Sequence, residues 1–220
     1  MRKVPIVTDE TYHIFNKSIA GYIIFNNEEE FLRMLNVIRF YQREKYGINF
    51  SKFFRPIKTK KKSFSDFVNL QNKKKMVEII SYCLMPTHFH LILKELVDSG
   101  ISTFMNNVEN SYSRYFNLKH NRKGPLWEGR FKNVLVKTDE QLIHLTRYIH
   151  LNPATAYLVR TPEEWPISSY NEYLLKISES ERICKYDDTL STEPIFYRRF
   201  VNDRISYQRE LAKIKDLLLE

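Results

Sequence analysis

Two histidines on one predicted strand are the residues of this sequence best placed to do chemistry. His88 and His90 lie in the run HFHLILKE, which predicts a β-strand over residues 88–95. Side chains two positions apart on a strand point to the same face, so both imidazoles would project together. Imidazole is the commonest side-chain ligand for a divalent metal. The pair therefore predicts part of a metal site, although two histidines on a solvated strand face give the same pattern.

A second set of polar residues is spaced by single helical turns. A capping box predicts a helix from residue 139 to about 151, and Pro153 is expected to end it or to start a new short turn. Residues four apart share one helix face, and His144, Tyr148 and Asn152 have this spacing. Such a stripe is typical of a helix that carries a site. It also fits a packing tyrosine and an asparagine that caps the next turn, so the residues alone leave both interpretations open.

Basic and aromatic residues interleave over residues 114–132, a composition that suits an unpaired nucleic-acid strand. The candidate DNA-binding residues are Arg114, Lys119, Arg122, Lys123, Trp127, Arg130 and Lys132. A further basic run, residues 51–75, has nine Lys or Arg against one Asp, and the chain has a formal net charge of +9. These charges favour a polyanionic partner. A solvated loop with Trp127 tucked into the core explains residues 114–132 equally well.

The remaining pattern supplies the elements that would position these residues. The predicted elements are two short strands around a turn in 12–25, helices over 28–46 and 100–118, strands over 77–85, 88–95 and 134–136, and the helix from 139. Their order predicts an α+β sandwich, with one antiparallel sheet and helices on one face. A final amphipathic stretch covers residues 203–219.

Composition excludes several classes of protein. Only 5 Gly among 220 residues, without a Walker or dinucleotide pattern, argue against a Gly-rich phosphate loop. Cys83 and Cys184 lack metal-site or disulfide-framework spacing and are expected to be free thiols. The N-terminus has no apolar signal core and no run is long enough for a membrane span. We therefore expect a soluble cytoplasmic protein without membrane partners.

Three separated motifs, in order, resemble the single-tyrosine HUH transposases of the IS200 kind, and within them the REP-associated tyrosine transposase-like subgroup. The motifs are YCLMPTHFHLIL at 82–93, GPLWEGRFK at 124–132 and RYIHLNP at 147–153, flanked by YHIFNK at 12–17 and WPISSY at 165–170. The resemblance covers roughly residues 10–172. Thr87 departs from it, since Asn is commoner there, and so does Tyr157, where a small residue, often Gly, is usual.

The resemblance implies a fold and a set of roles. The fold would be a ferredoxin-like α+β sandwich, with a catalytic domain over residues 1–172 and a mostly helical C-terminal extension over 173–220. Its metal ligands fall on His88 and His90, with Asn152 as a further ligand or orienting residue, and its nucleophile falls on Tyr148. Mg²⁺ or Mn²⁺ is expected on the family's account, because two imidazoles alone would also suit Zn²⁺ or Ni²⁺.

The implied activity is metal-dependent cleavage of single-stranded DNA and strand transfer through a 5′-phosphotyrosine, with DNA hairpins as the recognised form. Such a protein would be prokaryotic in type and nucleoid-associated. Some relatives form dimers, and the sequence is compatible with a homodimer or a monomer. Two alternatives stay open: a domesticated hairpin-binding protein without transposition activity, and a hydrolytic nuclease in which Tyr148 only positions DNA. His144 could be a base behind Tyr148 or a DNA contact, and a surface histidine is the favoured interpretation.

Overall fold

The computed structural model describes residues 5–44, 50–53, 74–186 and 193–217. Most of the basic run predicted at 51–75 lies outside the described residues, so its role as a DNA contact stays a prediction. In the described part of the chain, none of the helices has the length and apolar character that crossing a membrane demands.

Four antiparallel strands form one sheet at the centre of the fold. The strands are β1 (Thr11–Lys17), β2 (Val77–Met85), β3 (His88–Glu95) and β4 (Lys132–Val136), in the spatial order β2-β3-β1-β4. β2 and β3 form the hairpin predicted around Pro86, with the predicted bounds. β1 lies between β3 and β4, pairing His13 opposite Ile92 and Phe15 opposite His90. This β-α-β-β-α-β order confirms the predicted α+β sandwich.

The helices occupy both faces of the sheet. They are α1 (Glu28–Tyr41), α2 (Phe50–Phe53), α3 (Gly100–Lys119), α4 (Asp139–Thr155), α5 (Tyr170–Tyr173), α6 (Pro194–Asn202) and α7 (Ile205–Leu217). α1 and α3 cover the face that carries Phe89, whose ring packs on Trp127 and through it on Tyr112. The prediction that the helices lie on one face of the sheet therefore holds for α1 and α3. α4 follows β4 and covers the opposite face, where Tyr148 packs against His90.

The prediction of two short strands within 12–25 is wrong for the second strand. The chain leaves β1 through a 3₁₀ turn at Ile19–Gly21, in which Ala20 and Gly21 have φ of 52° and 67°. The backbone N–H groups of Ile24 and Phe25 then both donate to the carbonyl of Pro86. This segment therefore does not pair with β1 as a second strand, because the turn between β2 and β3 accepts the hydrogen bonds of its backbone N–H groups. α1 also ends at Tyr41, earlier than the predicted residue 46.

α4 continues through Pro153 instead of ending there. Pro153 lacks the N–H that would donate to the carbonyl of Ile149, four residues earlier. The side-chain amide of Asn152 lies 3.5 Å from that carbonyl and 3.3 Å from the carbonyl of Tyr148, and donates to both. The helix ends at Thr155, with Ala156 as its C-cap, and Tyr157 then adopts a left-handed φ of 56°. That conformation suits Gly, which explains why Tyr157 is unusual at this position.

The C-terminal helices are docked on α4 through a buried histidine and an arginine. The two ring nitrogens of His150 lie 2.7 Å from the hydroxyls of Tyr197 in α6 and Ser169, and Nε2 also lies 3.1 Å from the Ser81 hydroxyl. Burial lowers the pKa of His150 to about 3, so the ring is neutral. In α7, Arg209 donates to the carbonyl of Ala154. The extension thereby fixes the position of the helix that carries Tyr148.

We expect Glu163→Gln to loosen this docking in a pH-dependent way. Hydrogen bonds from Arg198 of α6 and from Lys176 outweigh burial and hold the pKa of Glu163 at about 2. Because the folded pKa lies below the unfolded one, the stabilisation is complete above about pH 4.5 and is lost as the pH falls toward 2. Discounted for solvent exposure, the loss at pH 6 is about 1 to 2 kcal/mol. Urea unfolding should show that the difference in unfolding free energy between wild type and Glu163→Gln is smaller at pH 3 than at pH 6. A difference that does not change with pH, or an equal loss of stability in Glu164→Gln, would contradict the assignment.

Candidate active site

The two predicted metal-binding histidines meet Tyr148 on the face of the sheet that α4 covers. His88 and His90 share this face of β3, with ring centroids 5.2 Å apart. The ring of Tyr148 lies edge-on to His90 at 5.8 Å. Its side chain is 40% exposed, so a substrate can approach the phenol from solvent. The structure therefore brings together the strand pair and the helix residue that the sequence could only place on separate elements.

A third histidine, His13, joins the site from β1. Its Nε2 lies 2.9 Å from the Nδ1 of His90, the two ring centroids are 5.1 Å apart, and the Tyr148 ring is 6.5 Å away. Sequence reasoning assigned no role to His13. Alternation along β1 places it on the face of Phe15, but its position beside His90 depends on the register between β1 and β3.

All three imidazoles are neutral at physiological pH. Burial lowers the pKa of His13 to about 4. Burial, followed by the neighbouring His13 and His88, lowers the pKa of His90 well below its usual range, and burial together with Lys17 lowers that of His88. A neutral imidazole keeps one nitrogen lone pair for a metal or a hydrogen bond. The rings are therefore in the protonation state that metal binding requires.

The donor set at this site fits a divalent cation with an open coordination sphere. His88 and His90 offer two imidazoles on one face. Asn152 lies one turn beyond Tyr148, and its amide nitrogen donates to backbone carbonyls of α4, which leaves its amide oxygen as a possible ligand. Among the described residues, no group of three His, Cys, Asp or Glu could enclose a metal ion. Any further ligands would be oxygen donors such as the Asn152 amide, a phosphate or water. An open position of this kind is what a catalytic metal needs.

The Tyr148 phenol is not intrinsically activated. Burial raises its pKa, and a hydrogen bond with the Asn152 side chain lowers it only in part. A phenol above its usual pKa of about 10 holds its proton at neutral pH. Attack on a phosphate would therefore depend on a nearby positive charge that stabilises the phenolate.

A pocket of about 310 Å³ opens beside the histidines. Its walls include Phe15, Lys17, His88, His90, Glu128 and Lys132. Lys17 forms an ion pair with Glu128 at 3.3 Å, and Lys132 is exposed on β4 opposite Phe15. The pocket combines a cation and an aromatic ring next to the two histidines, which suits a phosphate and its attached base.

Comparison with known proteins finds a similar family and a similar fold. The family model described as "Transposase IS200 like" matches residues 52–152, a range that contains His88, His90, Tyr148 and Asn152. Residues 52–152 are thus similar to the IS200-like transposase family. A Haemophilus influenzae protein carried under the name "Putative REP-associated tyrosine transposase" is 24% identical over 104 residues. The match spans 43% of this chain and 59% of that relative's length.

A solved structure shares the fold of this chain. The structure of a REP-associated tyrosine transposase bound to a REP hairpin superposes with a TM-score of 0.52 and 15% sequence identity. The superposition covers 88% of this chain and 92% of the other. At this identity the likeness shows the fold alone, and it confirms the predicted α+β architecture.

The fold divides the predicted DNA-binding residues into separate groups. Lys132 lines the pocket, and Arg130 is exposed two residues before it. The residues on α3 or in the loop after it, beyond the other face of the sheet, are Arg114, Lys119, Arg122 and Lys123. Lys119 is already paired with Glu29 at 2.8 Å. These four residues could reach DNA only outside the histidine site.

Trp127 belongs to the core. It is 8% exposed, its ring packs on Phe89 at 5.3 Å, and its indole N–H donates to the carbonyl of Glu109. The prediction that Trp127 contacts DNA is therefore corrected, because a ring packed inside the sheet–helix interface cannot stack on a base. His144 also points away from the site, since its ring contacts Arg147 and Phe200 of α6.

We expect Lys132→Ala to weaken binding of single-stranded DNA at the site. Removing one phosphate contact should lower the slope of log affinity against log salt concentration by about 0.7. This slope is measured by fluorescence anisotropy of a labelled oligonucleotide at salt concentrations between roughly 50 and 200 mM. Over this range the affinity falls steeply with the number of phosphate contacts. Lys137→Ala is the matched control, since Lys137 lies beyond the far end of β4, about 16 Å away. Equal slopes for both variants would remove Lys132 from the DNA-binding surface.

Proposed function

We propose that this protein is a REP-associated tyrosine transposase-like enzyme that cleaves and rejoins single-stranded DNA next to hairpins, through a covalent bond to Tyr148. The single observation that carries the proposal is the convergence of Tyr148, from α4, with His88 and His90, from β3, beside an open pocket with a basic wall. The family match and the name of the H. influenzae relative support the transposase part. The REP hairpin bound by the structural neighbour supports hairpin DNA as the substrate.

The divalent cation, Mg²⁺ or Mn²⁺, would be held by His88, His90 and Asn152. When bound, it supplies positive charge at the scissile phosphate and at the attacking oxygen. Lys132, and Lys17 if it leaves Glu128, would bind the neighbouring phosphates. The Asn152 side chain, one helical turn beyond Tyr148, would also help to orient the phenol, whose pKa it lowers.

The chemical step exchanges one phosphate ester for another. The Tyr148 oxygen loses its proton to solvent and forms a bond to phosphorus, while the bond from phosphorus to the 3′ oxygen breaks. The leaving oxygen takes up a proton and becomes a 3′-OH, so the downstream strand is held as a 5′-phosphotyrosine. A 3′-OH can later attack the same phosphorus and release the phenol, which reseals DNA without an external energy source.

Trapping the covalent intermediate tests the proposal. Full-length protein is mixed with a pool of single-stranded hairpin oligonucleotides, 3′-labelled and with randomised 5′ flanks, in Mn²⁺ or in EDTA. The expected result is a labelled band at the size of a protein–DNA adduct that survives denaturation and appears only with the metal. The shortened partner fragment should carry a free 3′-OH.

Two other results would overturn the proposal. Labelled fragments with a free 5′-phosphate, and with no adduct at early times, would favour a hydrolytic nuclease. Hairpin binding without cleavage in any divalent metal would favour a domesticated DNA-binding protein.

A further inference from the structure

His13 contacts the proposed metal site without a role in the reaction described above. It projects from β1, the strand next to β3, and is half-buried. Its Nε2 lies 2.9 Å from the Nδ1 of His90, and the ring planes are inclined by only 22°. This is a directed contact between two specific ring nitrogens, so one of them must carry the hydrogen and the other must accept it.

The second metal-binding histidine is held at the same ring atom. The hydroxyl of Thr87 lies 3.0 Å from the Nδ1 of His88. In both His88 and His90, Nδ1 is therefore within hydrogen-bonding distance of a neighbour, and Nε2 is the nitrogen that can bind a metal. Two imidazoles on one strand face that are both held at Nδ1 offer the same atom, Nε2, to one cation. Histidines that bind metals usually have the other ring nitrogen held in this way, which fixes the tautomer and the ring orientation.

We propose that His13 is a positioning residue, which accepts the Nδ1–H of His90 and so presents the Nε2 lone pair of His90 to the metal. The proposal rests on the metal-dependent function proposed above. It requires the proton of His13 to be on its own Nδ1, so that Nε2 is bare. Thr87 has the corresponding place beside His88, where its hydroxyl can donate or accept.

The geometry favours this role for His13 over that of a third metal ligand. The Nε2 of His13 already faces the Nδ1 of His90, so binding a cation through it would break that contact. No group of three His, Cys, Asp or Glu in the described ranges is arranged to hold a metal, although His13, His88 and His90 are all among the residues described.

Mn²⁺ affinity of the full-length protein, measured without DNA, separates the possibilities. Titration calorimetry, or the free-Mn²⁺ electron paramagnetic resonance signal, is recorded for wild type, His13→Ala, His13→Leu and His13→Gln. Loss of the acceptor in His13→Ala should weaken Mn²⁺ binding by about 10- to 100-fold. His13→Leu should do the same while filling most of the space. His13→Gln should recover affinity to within about threefold, since its side-chain oxygen can take the place of Nε2 as acceptor.

The matched control is His144→Gln, an exposed histidine whose partners are Arg147 and Phe200. It should leave Mn²⁺ affinity unchanged. Circular dichroism and the thermal midpoint of each variant verify the fold, and His13→Leu keeps the test valid if His13→Ala does not fold. A packing role would make His13→Leu the better replacement, whereas the proposed role requires His13→Gln to be better.

Counting imidazole nitrogens on bound Mn²⁺ by electron spin echo modulation gives the decisive signature. Two coordinated imidazoles are expected in wild type and in His13→Gln. Three in wild type that fall to two in His13→Gln would overturn the proposal, because His13 would then be a ligand. Equal affinity in wild type and in both His13→Ala and His13→Leu would also overturn it. A wild-type protein that binds no Mn²⁺ would overturn the proposed function, and this proposal with it.

Discussion

Tyr148→Phe is expected to abolish the covalent protein–DNA adduct while leaving hairpin binding within about twofold of wild type. The substitution removes one oxygen atom, the only atom of the side chain that can bond to phosphorus. It leaves the ring, which lies 5.8 Å from His90 and 6.5 Å from His13, free to keep its edge-on packing. Loss of a nucleophile that forms a covalent intermediate lowers turnover by at least about 10³-fold.

The adduct assay measures this effect when wild type and variant are compared at equal hairpin occupancy. Tyr157→Phe is the matched control, because it makes the same change in an exposed tyrosine just beyond the end of α4. It should form the adduct at the wild-type rate. Cleavage that survives in Tyr148→Phe without an adduct would indicate hydrolysis by a metal-bound water. An adduct that survives in Tyr148→Phe would assign the nucleophile to another tyrosine.

Gly100→Ala is expected to cost about 2 to 3 kcal/mol of unfolding free energy, the largest stability effect that we predict. Gly100 is the first residue of α3, and a Cβ added there would lie 2.4 Å from the carbonyl oxygen of Met76. That oxygen is backbone and accepts from the N–H of Leu96, so it cannot move without loss of the hydrogen bond. The start of α3 would have to shift away from β2, and the Glu95 carboxylate that accepts from the Ile101 N–H would shift too.

Urea denaturation of the full-length protein measures this loss. Gly129→Ala is the control, since a Cβ at Gly129 meets no atom within 4 Å. Its stability should change by less than about 0.5 kcal/mol, the usual range for a surface substitution. If both variants unfold at the same urea concentration, the close approach of α3 to β2 is not a constraint in solution.

Much of the fold could be predicted because its signals are local. β2 and β3 have the predicted bounds because Pro86 breaks a run of apolar residues that both strands need. The capping box correctly places the start of α4, where the Thr138 hydroxyl accepts from the N–H of Gln141. Two free, buried cysteines, Cys83 and Cys184, also agree with the prediction.

Predictions failed where a distant part of the chain supplies the missing partner. The strand predicted after β1 is replaced by hydrogen bonds to Pro86, more than sixty residues away along the chain. The break expected at Pro153 is bridged by the side-chain amide of Asn152, which donates to the carbonyls of Tyr148 and Ile149. Of the two interpretations of Trp127, the DNA contact is wrong and the core position is right, since the ring fills the space between β3 and α3. None of these outcomes is encoded in the spacing of nearby residues.

The sequence by itself determined that His88 and His90 share one strand face and that Tyr148 and Asn152 share one helix face, because both periods are properties of the local backbone. Only the tertiary structure decided that these two faces meet. It also decided that His13 stands beside His90 and that Lys132 lines the pocket while the cations of α3 do not. Strand register and the choice of sheet face depend on contacts between residues far apart in the chain, and no local pattern contains them.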